Sequence, residues 1–532
     1  MIMKIRRIGY IAAALLLSLL LGACGTADEK TDKEVNNETK APITLDWYIN
    51  YSWFVTRWGG NLVSDTITDE TGVSVNFIAP VGSEDEKLNA LIASDSLPDI
   101  ITLGWWEPQV EEMINKGMVY SLNDLAEEYN TNFFDYANED VVRWYKQEDG
   151  DIYCYPNSFY TPKDVESHEN IAANLTFLVR KDIYEAIGSP DMTTKEGFYN
   201  AIKDAVEKCP EVNDEPLIPI GGTPFDDSGC ASFDQYLQNF LAIPHEKNGE
   251  FYDRNTDPEY LDWLKVIRKL NEEGYVTADT FVDQRTQISE KIADGRYFCL
   301  IYQRTDLADQ QKLLYAKDPD SIYMAVDGPR NEAGDPPVLS TAGIAGWTVT
   351  MISKNCKDPE RAIRFMEYLM SEHGQKLVSL GVEGVTYDMV DGKAVLKDEV
   401  RELLNTDRQA YDAKYAADDT YWMLQDTVMQ LDWMPEMEEP LKQLAEWTYP
   451  YTKYLGQYEV MMVETSKMGE AYARMKKLWS DTLRKLILAE SDEEFDRIVE
   501  EYLNEREQMG YIAVHNEETR QMNINKHKLG LD

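Results

Sequence analysis

Histidine is scarce in this chain, five among 532 residues, and no two of them form an HExxH pair. No two cysteines are spaced as CxxC, so the usual ligand sets of a zinc site are missing. A GxxxxGK[ST] phosphate loop and a GxSxG nucleophile elbow are absent as well, which leaves no motif-level support for nucleotide hydrolysis or serine catalysis. Six cysteines are too few to scaffold a chain of this length with disulfides. Cys154 and Cys299 lie in strand-like runs and read as buried apolar residues. Basic residues are also in short supply: 52 Lys and Arg against 96 Asp and Glu give a formal charge of −44. Nucleic acid is thereby excluded as a partner, and the acidity reads as solubility and self-repulsion. One run, Ile8 to Leu21, is strongly apolar, and it is too short to span a bilayer comfortably.

What is present begins with that run. Lys4, Arg6 and Arg7 precede it, and Leu21-Gly22-Ala23-Cys24 closes it with small residues and a cysteine. The pattern resembles a bacterial lipobox. That resemblance implies removal of residues 1–23, a lipid on Cys24 and a location at the extracellular face of the cell membrane. Residues 24–41 hold Val35 as their only large apolar side chain and read as a flexible tether.

From Pro42 the chain alternates strand-like and helical periods, an α/β pattern. ITLDWYI and VSVNFI read as strands around a helix carrying Leu62, Val63 and Ile67. A helix from Glu86 to Ser94 then leads through Leu97-Pro98-Asp99 into a third strand, IITL. Asp257-Pro258 and Asp358-Pro359 each open a helix with a cap and a first-turn proline. Residues 400–510 read as largely helical, and Ser491 with Glu494 reads as a capping box.

KLNALIASDSLPDII at 87–101, the block GIAGWTVTMISKNCKDPERAIRFMEYLMSEHGQKLVSLGVEGVTYDM at 343–389 and SDEEFDRIVEEYLNEREQMGY at 491–511 together resemble the family 1 extracellular solute-binding proteins of ABC importers. Within it, the chain resembles the large lipoprotein subgroup called LplA-like. The resemblance implies a two-lobed type II periplasmic-binding fold, with the ligand in a cleft between lobes and a helix-rich C-terminal part. It implies a carbohydrate ligand, an oligosaccharide in this subgroup, and delivery to permease transmembrane subunits by a monomeric, non-enzymatic protein. A peptide or amino-acid receptor, a surface glycosidase and an adhesin are the rival readings. Relatives that bind acidic glycans carry a calcium loop. The matching segment here, Pro210 to Pro216, lacks the alternating acidic ligands and glycine such a loop needs, so no calcium and no other cofactor is expected. The expected division is 42–157 for the N-lobe, completed by about 282–325, with 158–281 and 326–532 forming the C-lobe.

Ligands of open α/β sheets sit beyond the carboxyl ends of the strands, so position selects candidates better than residue type. Trp47, Tyr51, Trp53 and Trp58 lie in or after the first strand; Trp105, Trp106 and Glu107 follow the third. Tyr160 follows a YP turn, Asp226 and Asp227 follow IPIGG, and Tyr302, Gln303 and Arg304 end YFCLI. Trp347 lies in a glycine-flanked run, and Glu383 and Tyr387 lie in the family block. Aromatic rings would stack on the apolar faces of sugars, while Glu107, Asp226, Glu383 and Arg304 would hydrogen-bond hydroxyls.

Overall fold

Short apolar runs bounded by caps become the strands of two separate sheets. The computed structural model describes residues 41–460, 462 and 467–531, so the lipobox cysteine Cys24 and the tether lie outside the described residues. Nine strands build the two sheets: β1 (Ile43–Ile49), β2 (Val73–Ile78), β3 (Ile100–Gly104), β4 (Tyr155–Pro156), β5 (Leu175–Arg180), β6 (Ile218–Gly221), β7 (Tyr297–Gln303), β8 (Tyr323–Ala325) and β9 (Thr348–Ile352). The first sheet has the order β2-β1-β3-β9-β4 and the second β8-β5-β7-β6. Strands β3, β5 and β9 are buried along their whole length, as continuous apolar runs are when helices cover both faces of a sheet.

The helices start where their caps allow. Asn61 caps Leu62–Thr71 by accepting from Ser64 N, and Gly72 ends that helix at φ 68°, a left-handed conformation that glycine adopts without strain. Asp257 and Asp358 cap Pro258–Glu272 and Pro359–Met370 with proline in the first turn. The second of these buries Ala362, Ile363, Phe365, Met366, Leu369 and Met370 in the first lobe's core. Ser491 caps Asp492–Gln508, but the capping box is only half made. Glu494 accepts from Glu490 N at 2.9 Å and makes no return bond to Ser491. Pro210–Pro216 forms a small hairpin, Glu211–Val212 against Glu215–Pro216, that turns at Asn213 and Asp214.

The chain passes from the first lobe to the second between β4 and β5, and returns between β8 and β9. It leaves again before helix Leu441–Thr448, where Gln443 Oε1 accepts from Ala325 N at 2.9 Å. The first lobe is therefore completed by β9 and the segment up to Leu424, whose side chains share its core. Residues 282–325, expected to complete it, belong to the second lobe. Five residues of β7 pair with β5, from Cys299 opposite Val179 to Gln303 opposite Leu175, and β8 pairs with β5 on its other edge. The similar apolar character of β7 and β9 hides from composition which sheet each one joins.

Two site candidates are core residues. Trp47 has no accessible surface; its Nε1 donates to Thr102 Oγ1 at 2.8 Å and Phe365 meets its ring edge-on at 6.2 Å. Tyr302 is 1% exposed, packed among Leu178, Leu300 and Leu307. In each case the pleat sends the side chain into the lobe instead of toward its end. Trp47→Ala is expected to cost about 3–5 kcal/mol of stability, because the void left by a fully packed indole cannot close. Equilibrium urea unfolding would read this, and a loss under about 1 kcal/mol would contradict the packing described.

Candidate functional site

In each sheet a single strand, β9 or β5, runs antiparallel to its neighbours. An antiparallel strand begins where its neighbours end, so the residues just before it stand at the carboxyl edge of the sheet. Trp347 immediately precedes β9, and its carbonyl faces Trp105 N at 3.5 Å, just past the end of β3. Asn157 fixes this junction: its Oδ1 accepts from Thr348 N at 2.8 Å and from Thr348 Oγ1 at 3.0 Å, while its Nδ2 donates to the carbonyl of Trp422 at 3.0 Å.

Around that junction the aromatic side chains form one wall. Tyr51, Trp53 and Trp347 have ring planes within 25° of one another, with centroids 5.2 Å (Tyr51–Trp53), 5.6 Å (Tyr51–Trp347) and 6.2 Å (Trp53–Trp347) apart. Trp422 backs them, 4.5 Å from Trp347, and Phe54 closes the rear. Trp53 is 41% exposed and Trp106 49%, whereas Tyr51 and Trp422 are buried. Trp105 packs partly into the core beneath and meets Trp106 nearly at right angles at 6.0 Å. Trp58 turns away: its Nε1 donates to Thr68 Oγ1 at 2.9 Å and its ring packs on Tyr421.

Carboxylates stand beside the rings. The turn after β3 folds back so that Gly104 N donates to Glu107 Oε1 at 2.7 Å, and Asn50 Nδ2 donates to Glu107 Oε2 at 2.5 Å. Residue 104 is glycine because a Cβ there would sit 2.8 Å from the Trp106 ring and 3.0 Å from Glu107 Oε1. Asn50 is held in turn by Tyr48, whose hydroxyl donates to its Oδ1 at 2.9 Å. Burial pushes the Glu107 carboxyl up to about 7, against these hydrogen bonds and with help from Asp85 and Glu84. Glu84 Oε1 accepts from Ser52 N at 2.6 Å, which ties its helix to the loop carrying Trp53.

The second lobe reaches this wall through Arg285. Its guanidinium lies 5.6 Å from the centre of the Trp53 ring and pairs with Asp306 at 3.0 Å. Arg304, at the end of β7, does not face the wall. Its Nε donates to the carbonyl of Ala173 at 2.9 Å, where the chain crosses into β5, and its charge acts on nearby Tyr160. Tyr160 N donates to Gly343 O at 3.2 Å, in the return crossing. These two residues thus belong to the crossings between lobes. Gln303 Nε2 donates to Tyr236 Oη at 2.7 Å.

Four further candidates are placed elsewhere. Asp226 closes a tight turn with Gly229 and accepts from Ser228 N at 2.6 Å; Asp227 pairs with Lys477 at 2.7 Å. Tyr387 is 4% exposed and packs with Leu380, Ala394 and Trp433; Glu383 is an exposed residue bridged to it. A turn and a hairpin, not a ligand, account for the residue types there. Sequence reasoning missed Trp422, Asn50, Glu84 and Arg285. Trp422 arrives on a short 3-10 turn, Asp418–Leu424, in a stretch that gave only a generic helical pattern.

Two small cavities each lie within a single lobe. One is lined by Ile218, Gly221, Thr280 and Lys291, another by Trp47, Trp58, Leu369 and Tyr421. Among the described residues no group of His, Cys, Asp and Glu is placed to hold a metal ion, and no helix is long and apolar enough to cross a membrane. The five described cysteines are free thiols.

The family described as bacterial extracellular solute-binding protein matches residues 63–400. Lipoprotein LipO of Bacillus subtilis is 22% identical over 333 residues, 59% of this chain and 61% of LipO, so the chain aligns with less than two thirds of that relative. The polygalacturonan/rhamnogalacturonan-binding protein YtcQ of B. subtilis is 21% identical over 515 residues, 93% of this chain and 95% of YtcQ. Among solved structures, the alginate-binding protein AlgQ2 without calcium ion shares the fold at a TM-score of 0.67 and 20% identity, covering 91% of this chain and 99% of that one. The Streptococcus pneumoniae ABC-transporter substrate-binding protein FusA in complex with kestose does so at 0.69 and 16%, covering 91% and 100%. The two-lobed expectation holds.

Glu107 keeps its proton to about pH 7 when folded, against an ordinary value of 4.5. The unfolded chain therefore ionises first, and stability falls as pH rises between those values. Asp234 and Glu518, each at about 7, and Glu459, at about 8, act in the same direction, while burial of His245 in its neutral form opposes them. The urea midpoint is expected to drop from about pH 5 to about pH 8, and to drop less in Glu107→Gln. A midpoint that climbs across this window would contradict the burial of these carboxyls.

Proposed function

The chain belongs to the bacterial extracellular solute-binding protein family, and from that premise we propose that it captures a carbohydrate, an oligosaccharide, between its lobes and delivers it to the transmembrane subunits of an ABC importer. The observation that carries this reading is the wall of Tyr51, Trp53, Trp347 and Trp422 at the carboxyl edge of the first sheet. A pyranose or furanose ring presents an apolar C–H face, and a half-exposed indole on a rigid backing offers it a flat partner with little entropy left to lose. Asn50 and Glu107, side by side at that wall, suit the hydroxyls at the ring's rim. The relatives named for polygalacturonan, alginate and kestose support the saccharide class.

The work done is capture and release, not bond breaking. Ligand held against the first lobe and touched by Arg285 from the second would favour the closed arrangement, since it gains contacts there that the open one lacks. Residues 1–23 would be removed on export and a lipid on Cys24 would hold a monomer at the outer face of the membrane, with 24–41 supplying reach.

Trp53→Ala and Trp347→Ala are each expected to weaken saccharide binding by about 2 kcal/mol, some thirtyfold in dissociation constant. Calorimetric titration with the tightest member of an oligosaccharide panel would measure it. Unchanged affinity in both variants would remove the wall from the binding site.

A further inference from the structure

The first lobe's side of the site is rich in acceptors, and among the described residues no Lys or Arg pairs with them. Glu84, Asp85 and Glu107 act together on Tyr48 beneath them, and none of the three has an ion-pair partner among the described residues. The hydrogens they receive come from neutral groups: Ser52 N to Glu84, Gln109 Nε2 to Asp85 at 3.4 Å, Asn50 Nδ2 and Gly104 N to Glu107. The cation brought by the second lobe, Arg285, is already paired with Asp306.

An independent observation points to a ligand at this wall. The Tyr51 hydroxyl is buried and has no hydrogen-bond partner among the described residues, in a residue 8% exposed whose ring meets both Trp53 and Trp347. Glu107 and Glu84 both raise its affinity for its proton, which places it in their field. Gln109 Oε1 is a second buried acceptor without a partner, in a residue 4% exposed. A buried polar atom left unpaired costs about 1–3 kcal/mol; a bound hydroxyl, which both donates and accepts, suits the Tyr51 O–H, and a donor suits Gln109 Oε1.

We infer that this wall selects saccharides presenting donors, neutral hydroxyls or a protonated amine, and excludes acidic ones such as uronates. The inference rests on the reading of the site as a sugar site. Above about pH 7 a uronate carboxylate here would meet three like charges, and it would give Gln109 Oε1 nothing to accept. The groups facing Glu107 are Tyr48 and Asn50 from β1 and its end, Tyr51 from the following loop, and Glu84 and Asp85 from helix Glu84–Ala93.

The test is calorimetric titration of the wild-type protein with gluco-, manno- and galacto-configured trisaccharides, each as its neutral, amine-bearing and uronate form. At about pH 8 the tightest ligand is expected to be neutral or amine-bearing, with the uronate of the same backbone at least about tenfold weaker. Glu107 loses its charge as pH falls through about 7, so the gap is expected to narrow at about pH 6 and in Glu107→Gln, where uronate affinity rises. A uronate bound more tightly than its neutral counterpart, or weakened by Glu107→Gln, would overturn this inference while leaving a sugar site in place. Silence across all nine ligands would overturn the sugar reading itself, and the inference with it.

Discussion

The structure depends on two strands that enter their sheets backwards. β9 inserts between β3 and β4, pairing from Thr348 opposite Gly104 to Ile352 opposite Ile100, and fills a gap that the first 157 residues leave open. Backbone N–H and C=O groups in the middle of a buried sheet must be paired, so the first lobe is incomplete until a strand from far along the chain arrives. The side chains mark the junction as well: the hydroxyls of Thr102 and Thr350 meet at 2.8 Å, and Thr102 also receives the Trp47 indole N–H. β5 holds the same antiparallel place in the second sheet, although all four strands of that sheet come from one stretch, residues 175–325. The first lobe thus holds strands from both sides of a crossing, the second is joined by helices from after Leu441, and neither is a contiguous piece of sequence.

The same reversal builds the site and the joint at one place. Because β9 and β5 begin where their neighbours end, the crossings run along the carboxyl edges of both sheets. There they are stitched together: Ala173 N donates to Thr452 Oγ1, Leu339 lies opposite Thr452 in a short parallel pairing, and Arg304 holds the carbonyl of Ala173. The helix Tyr511–Leu529 touches both lobes, through Lys526 on Glu246 and Lys528 on the carbonyl of Trp144. Motion of one lobe against the other would therefore pivot close to the aromatic wall. The Arg285–Trp53 contact, worth about 0.5–1 kcal/mol for a partly exposed pair, is weak enough that the ligand contacts proposed above would outweigh it.

Much of this was legible in the residues. β1, β2 and β3, the capped helices after Asp257 and Asp358 and the turn that Trp105-Trp106-Glu107 makes at the end of β3 all follow from local rules of period, cap and strand end. What was not legible is long-range pairing. YFCLIYQ and TVTMI are equally apolar, and only their partners decide that the first belongs to the second lobe and the second to the first. The same limit explains the misplaced site residues. Trp47 and Tyr302 lie on strands near the right edge but on the side of the pleat that faces the core, and strands buried on both faces give no alternation from which to read the side. Trp422 reaches the wall from hundreds of residues away, through a turn whose sequence carries no periodic signal.

Charge at the site has to be read locally. The chain's −44 is spread over a large surface, and at physiological ionic strength charges more than about 8 Å apart are largely screened from one another. A ligand at the wall therefore responds to the few groups beside it, not to the total. Those groups are carboxylates kept partly out of water without cations. That arrangement opposes folding, since it holds Glu107 away from its preferred ionised state. Elsewhere in the molecule acidic residues are routinely paired, as Asp99 and Asp46 are with Lys357 and Asp253 with Arg506. A locally unfavourable cluster that is backed by two hydrogen bonds to one carboxylate, and set beside a half-exposed stack of aromatic rings, is the pattern expected where stability has been given up for recognition.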